Sequence, residues 1–190
     1  MFCDGDLGDP DLDHFYSKKK FPDLSCHPGN LVPICKSCNG RARKGEKPPM
    51  DTDAEDPTYD WFHPYYRTAE GVYSVDFKEK QNKIRPVLEG QTELEKRRLN
   101  NLDDLVGLSE RWHQRLGYIV RAAIKQLRGI QVDDLIHELT ELAKSQATDI
   151  KLMPWAILKE GYYRRTSEGF KPFLDEIRVE LEKLDPVTLD

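Results

Sequence analysis

Residues 13–45 read DHFYSKKKFPDLSCHPGNLVPICKSCNGRARKG, and this stretch decides the fold of the N-terminal part of the chain. It holds the adjacent pair Asp13-His14, then Asn30, and then a Cys-x-x-Cys-Asn sequence that ends at Asn39. Short apolar pieces on either side of a long polar loop predict two strands, and the residues after the second strand predict a short helix. The expected order is therefore strand, long loop, strand, helix.

The composition limits the classes of function. The chain has 190 residues, 38% of them hydrophobic and 33% charged, and its net charge is −5. This length suits one medium domain, or a small domain followed by a larger one. The acidic balance argues against a globally basic nucleic-acid binder, so any contact with nucleic acid must come from a local basic patch.

We expect a cytoplasmic protein. The first residues do not follow a signal-peptide pattern, and no apolar stretch approaches the roughly 18–20 residues of a membrane span. The four cysteines Cys3, Cys26, Cys35 and Cys38 all lie in the first fifth of the sequence. In a reducing compartment such a cluster favours metal binding over disulfides, and Cys35 and Cys38 have the spacing of half a zinc clip.

Two basic clusters flank the candidate metal site. A lone lysine run is usually a solvated loop, but two clusters around one site favour a phosphate-binding role. The clusters contain Lys18, Lys19, Lys20, Lys36, Arg41, Arg43, Lys44 and Lys47.

Beyond the first 47 residues the sequence predicts a linker, a hairpin and a helical region. Residues 46–60 are acidic and contain prolines, whereas the aromatic segment 61–66 should pack back onto a core. Alternating residues in 72–77 and 84–88 predict a β-hairpin. Apolar stripes after residue 91 predict helices, with Ser109 capping the second and Gly129 ending it. We therefore predict an α+β chain with domains 1–66 and 67–190.

The residues in the first stretch suit hydrolysis of a phosphodiester bond. The reaction needs a base for the attacking water and a cation for the charge on the phosphate. Histidine is the natural base at neutral pH, which points to His14. Asp13 and Asn39 offer oxygen ligands for a hard ion such as Mg²⁺ or Mn²⁺. Because neighbouring strand residues point to opposite faces, Asp13 reaches such an ion only if the strand twists or the ion lies near its end.

These residues resemble the motif of the HNH nucleases in its H-N-N form. The stretch LDHFYSKKKFPDLSCHPGNLVPICKSCN is similar to the pattern of HNH nucleases found in bacterial anti-phage defence systems, including the HNH subunit of Septu-type systems. The later FHPYY segment is similar as well, so the likeness covers about residues 3–66. It implies the ββα-metal fold, which is a small N-terminal HNH module with a zinc knuckle. The predicted hairpin and the mainly helical domain follow this module in the chain.

The resemblance also implies roles for particular residues. His14 would be the general base, and Asn30 a strand residue that orients His14 and holds the loop. Asp13 and Asn39 would bind the catalytic ion. The phosphate contacts would come from Arg41, Arg43 and Lys44. The substrate would be DNA, and a partner such as an ATPase subunit is expected.

The zinc site departs from the family pattern. Zinc-bearing HNH domains usually carry two Cys-x-x-Cys pairs, and here the first is reduced to Cys3. Cys3, Cys35 and Cys38 then give an incomplete tetrahedron for a structural Zn²⁺. Water or a nearby residue would complete it, and Cys26 or His27 would do so only if the long loop folds back.

Two other hypotheses for the function remain open. The first is a non-catalytic zinc-binding module that recognises nucleic acid or protein, in which Asp13 and His14 would be dispensable. The second is a toxin-type effector that is inactive until a partner licenses it. The complete set of Asp13, His14, Asn30 and Asn39 favours a nuclease over the non-catalytic module, because a binding module does not need a base beside an ion ligand.

Overall fold

The described part of the chain is a mixed α+β structure. The computed structural model describes residues 9–50, 55, 61–66, 73–80, 83–149 and 155–184. These residues form two small antiparallel sheets of two strands each and six α-helices. The predicted α+β class is confirmed. Within these residues, no helix combines the length and the apolar character needed to cross a membrane.

The elements follow the predicted order. The N-terminal elements are β1 (Asp11–His14), β2 (Leu31–Ile34) and α1 (Lys36–Asn39). The hairpin consists of β3 (Tyr73–Lys80) and β4 (Lys83–Gly90). The helical part contains α2 (Glu93–Val106), α3 (Leu108–Gln126), α4 (Leu135–Asp149), α5 (Ala156–Ser167) and α6 (Lys171–Leu184).

The chain divides into two compact units. The first comprises Met1–Ser74 and Leu88–Ser109, and the second comprises Val75–Val87 and Glu110–Asp190. Helix α2 therefore belongs to the same unit as β1, β2 and α1, so this division does not follow the sequence boundary between residues 66 and 67. The functional domains 1–66 and 67–190 stay a prediction.

The first unit is built on the β1–β2 pair. The strands are antiparallel, with Asp13 opposite Val32 and His14 opposite Leu31. Phe15 and Val32 are buried in its core. The aromatic segment packs back onto this core as predicted, because the His63 ring lies 4.1 Å from the Phe15 ring, centroid to centroid.

Helix α2 has capped ends. Thr92 and Glu95 form a capping box at its start, with each side chain accepting the other residue's backbone N–H. At its end Gly107 adopts a left-handed conformation, with a φ of 61°. The Arg43 guanidinium donates to the carbonyl oxygens of Val106 and Gly107. A cation at a helix C-terminus satisfies free carbonyls and complements the helix dipole.

In the second unit, β3 packs closely against α5. A side chain at Gly161 would meet Val75 at 2.8 Å, which explains the glycine in the middle of this helix. The Arg164 guanidinium donates to the Val75 carbonyl oxygen at 2.7 Å, and Arg165 pairs with Asp76. The two arginines of α5 therefore hold β3 against this helix.

The end of α2 provides a test of the fold. Changing Gly107→Ala forces a side chain into a left-handed conformation and places Cβ 2.1 Å from Arg43 Nη1. We expect the free energy of unfolding to fall by about 1–2 kcal/mol, measured by urea denaturation. Gly117→Ala is the control, because Gly117 lies inside α3 and its added Cβ makes only an ordinary 3.6 Å contact. That change should stabilise by about 0.5–1 kcal/mol; equal effects of both substitutions would contradict this account.

Candidate active site

His14 lies at the end of β1 and keeps one ring nitrogen available. Its side chain is half-buried, and its Nε2 lies 3.0 Å from the carbonyl oxygen of Ser25. A carbonyl oxygen only accepts, so Nε2 carries the proton in this contact. Nδ1 then keeps its lone pair, and the loop that contains Ser25 fixes the tautomer of the histidine.

Asn30 holds the loop between the two strands in place. It is the last residue of a short 3-10 turn, Pro28–Asn30, and directly precedes β2, so it is not itself a strand residue. Its Oδ1 accepts from the Tyr16 backbone N–H at 2.7 Å. Its Nδ2 donates to the carbonyl oxygens of Tyr16 and Leu24, at 3.1 and 3.0 Å. The amide thus ties both ends of the loop together, and Leu24 precedes the residue that contacts His14.

Asp13 lies on the opposite face of β1 from His14 and is buried together with Lys44. The Lys44 Nζ atom lies 2.5 Å from Asp13 Oδ2, and the lysine side chain is fully buried. The ammonium also donates to the His14 carbonyl oxygen at 2.9 Å. Burial raises the pKa of the Asp13 carboxyl, and the neighbouring Lys44 opposes that rise. This pair holds β1 to the segment that follows α1.

Asn39 is joined to a second carboxylate on the same strand face. Its Nδ2 donates to Asp11 Oδ2 at 3.0 Å. Asp11 and Asp13 are two residues apart, so both project from one face of β1. The Asn39 Oδ1 and the two carboxylates are the oxygen donors that a hard cation prefers, and the donor chemistry fits Mg²⁺ or Mn²⁺. Lys44 occupies one of those oxygens, so an ion that binds Asp13 must displace or share with the ammonium.

The three predicted phosphate contacts have different surroundings. Arg41 is exposed. Arg43 is half-buried and engaged with the end of α2, and Lys44 is fully buried with Asp13. Arg43 and Lys44 therefore both make contacts within the first unit, and their role as phosphate contacts stays a prediction. The sequence could not distinguish these uses, because a run of cations gives no information on which members return to the core.

The cysteines of the predicted zinc clip are placed in part. Cys35 and Cys38 are buried at the start of α1, and the Cys38 N–H donates to the Cys35 carbonyl oxygen at 2.9 Å. Cys3 lies outside the described residues. Cys26 is exposed, and His27 Nδ1 accepts from the Gly29 N–H, as expected of a turn residue. Among the described residues, no group of three or more His, Cys, Asp or Glu side chains could hold a metal ion.

Two groups near the site were not predicted from the sequence, the Ser25 carbonyl and the Asp11 carboxylate. The Ser25 carbonyl belongs to the backbone, so no side-chain pattern could identify it. Asp11 carries a signal that was available, because a carboxylate two residues before Asp13 shares its face on a strand. Strand alternation therefore places Asp11 on the same face as the predicted ion ligand Asp13.

Comparisons with known proteins give no evidence on the function of this site. The chain shows no significant match to any protein-family model, curated protein or solved structure.

The buried ion pair gives a pH-dependent prediction. In Lys44→Met the Asp13 carboxylate loses its cation while still buried, and we expect a loss of about 3–5 kcal/mol in the free energy of unfolding at neutral pH. Because the pKa of Asp13 is raised by burial, the folded state holds the proton more tightly than the unfolded state. The variant is therefore least impaired at acid pH and loses stability as the pH rises through that raised pKa. Urea denaturation between acid and neutral pH measures this trend.

A double variant provides the control for this prediction. Asp13→Asn combined with Lys44→Met removes both charges, so its deficit should be smaller than that of Lys44→Met and nearly independent of pH. A deficit in Lys44→Met that does not change with pH would contradict the role of the carboxylate.

Proposed function

We propose that this chain is a metal-dependent HNH endonuclease that hydrolyses phosphodiester bonds of DNA. The observation that carries the proposal is the 3.0 Å contact between His14 Nε2 and the Ser25 carbonyl oxygen, which in a neutral imidazole leaves Nδ1 to accept a proton. The order β1, loop, β2, α1 supports it. The order of these elements is the one that the resemblance implies for the family. Asp11 and Asp13 project from the face of β1 opposite His14, so an ion that serves the same phosphate would lie near the end of the strand.

The chain's own residues supply the proton transfer. His14 Nδ1 takes a proton from water, the water oxygen attacks phosphorus, and the bond from phosphorus to the 3′ oxygen breaks. The leaving 3′ oxygen takes a proton from solvent water, so the products carry a 5′ phosphate and a 3′ hydroxyl. Ser25 keeps the imidazole in the required tautomer, and Asn30 holds the loop that presents Ser25. A base positioned in this way contributes about 10²–10⁴ in rate.

The proposed ion would be held by Asp13 and Asn39, with Asp11 as an adjacent carboxylate. When bound, Mg²⁺ or Mn²⁺ supplies positive charge that stabilises the phosphate and the leaving oxygen. A separate structural Zn²⁺ would be held by Cys35 and Cys38 together with Cys3. A zinc clip suits a module whose strands are only four residues long.

The resemblance extends the proposal to the biological setting. The chain would act as the effector nuclease of a bacterial anti-phage defence system, together with a protein partner such as an ATPase subunit. Co-purification of a large partner from the native host would support this part of the proposal.

Removing the base tests the proposed chemistry. In His14→Ala no side chain can accept the proton from water, so we expect plasmid nicking with Mg²⁺ or Mn²⁺ to fall about 10²–10⁴-fold. Gel analysis of supercoiled and nicked plasmid measures the rate. His137→Ala is the control, because His137 is an exposed residue of α4. Equal cleavage by the wild type and His14→Ala would refute His14 as the base.

The same experiment separates the nuclease from a non-catalytic zinc module. A binding module predicts no cleavage by the wild type and unchanged nucleic-acid binding in His14→Ala. A nuclease predicts cleavage that depends on His14 and on the added divalent ion.

The zinc site has its own test. We expect the purified protein to retain about one Zn²⁺ per chain after dialysis, because a structural site is closed and binds tightly. Cys35→Ser and Cys38→Ser should lose that zinc, as measured by inductively coupled plasma mass spectrometry. Cys26→Ser should retain it, since Cys26 is exposed on the loop. Equal zinc content in all four proteins would contradict the assignment.

A further inference from the structure

From Arg115 to its end, helix α3 carries only positive charged side chains on its solvent-exposed side. The 19-residue helix buries one stripe, which includes Trp112, Ile119 and Ala123. At about 100° per residue, the positions Arg115, Tyr118, Arg121 and Lys125 fall together within an arc of about 120° on the opposite side. All four residues are exposed, and Tyr118 is 53% exposed. The exposed Arg128 follows just beyond the end of the helix.

The positive charge on this face is not neutralised within the described structure. The sequence contains no acidic residue between Glu110 and Asp133. Some cations on other helices pair with an acid one turn away, as Lys96 does with Glu93 and Lys144 with Glu141. Among the described residues, Arg121, Lys125 and Arg128 form no such ion pair. The stretch between Glu110 and Asp133 therefore carries only positive charge in a chain whose net charge is −5.

One cation on this face is held in place by aromatic rings. The Arg115 guanidinium lies 4.9 Å from the Tyr118 ring centroid and 5.0 Å from that of Trp155. Stacking of this kind orders the guanidinium and leaves its N–H groups free to bind an anion. An ordered arginine loses less conformational entropy when it binds phosphate than a freely rotating side chain does.

We propose that the exposed face of α3 binds the phosphate backbone of duplex DNA. From Arg115 to Lys125 the helix rises about 15 Å at 1.5 Å per residue. Along one DNA strand a phosphate recurs about every 3.4 Å, so several phosphates lie within reach of this row. The guanidinium and ammonium groups bind phosphate through charge and hydrogen bonds, without reading base sequence. The proposal does not depend on the nuclease chemistry, since this surface belongs to the second unit and requires no catalytic residue.

The test measures binding without cleavage. The probe is a fluorescent 30-base-pair duplex in buffer with EDTA, and anisotropy gives the affinity over a range of salt concentrations. The test variant combines Arg121→Gln, Lys125→Gln and Arg128→Gln. Three lost phosphate contacts should reduce the slope of log K against log salt by about 2.7 and weaken binding at low salt by more than tenfold. Circular dichroism checks that the fold is retained, as expected for exposed positions.

A matched control separates the surface from net charge. The control variant combines Lys144→Gln, Lys171→Gln and Lys183→Gln, three exposed cations on α4 and α6, and it lowers the net charge by the same amount. It should change the affinity less than twofold. Equal weakening by both variants, or a wild type that does not bind the duplex, would overturn the proposal.

Competition identifies the occupant. Unlabelled duplex DNA should displace the probe from the wild type, whereas polyglutamate at equal charge concentration should not. Displacement by polyglutamate as effective as by DNA would show a surface for acidic proteins and would also overturn the proposal. Loss of binding in the α3 variant together with His14-dependent nicking by the wild type would leave the two proposals separately supported.

Discussion

The geometry of the candidate site depends on closure of the loop between β1 and β2. Only four residue pairs join these strands, whereas the loop between them contains residues 15–30. Ordering such a loop costs conformational entropy that so short a ladder does not offset by itself. The buried amide of Asn30 compensates with three hydrogen bonds to the backbone, and its carbonyl accepts the Phe15 N–H. Without that anchor, Ser25 would have no fixed position opposite His14.

The second constraint is electrostatic. A buried carboxylate without a partner is costly, and the pair of Asp13 with Lys44 offsets part of that cost. The same pair limits the ability of the Asp13 carboxylate to bind a metal ion, because Lys44 already contacts one of its oxygens. A divalent ion competes with an ammonium already in contact with Oδ2, so Asp11 and Asn39 are the more accessible oxygen donors on that side of β1. The ion pair therefore couples the stability of this unit to the ligand set proposed for catalysis.

Periodicity predicted the elements because burial follows it. The apolar stripe of α3 and the order strand, loop, strand, helix could both be read from spacing alone, and both are present. Ser109 shows where local reasoning fails. It was predicted to cap α3, but the helix begins at Leu108 and the Asp103 carboxylate accepts the Ser109 N–H instead. A cap supplied from the preceding helix depends on how the chain turns at Gly107, and propensity contains no information on that turn.

The site was harder to predict than the fold, because a long cationic side chain can either extend into solvent or return to the core, and the sequence does not distinguish the two. The resemblance predicts that Lys44 contacts phosphate, and lysine is usually exposed, yet Lys44 is among the most deeply buried side chains of the described structure. Arg43 was assigned in the same way and instead satisfies the end of α2. Two cations thus serve stability, and the predicted module contributes less positive surface than its sequence indicates. Sequence-independent affinity for DNA increases with the number of phosphates neutralised. Under the proposal for α3, its cations would provide phosphate contacts that do not depend on these two residues.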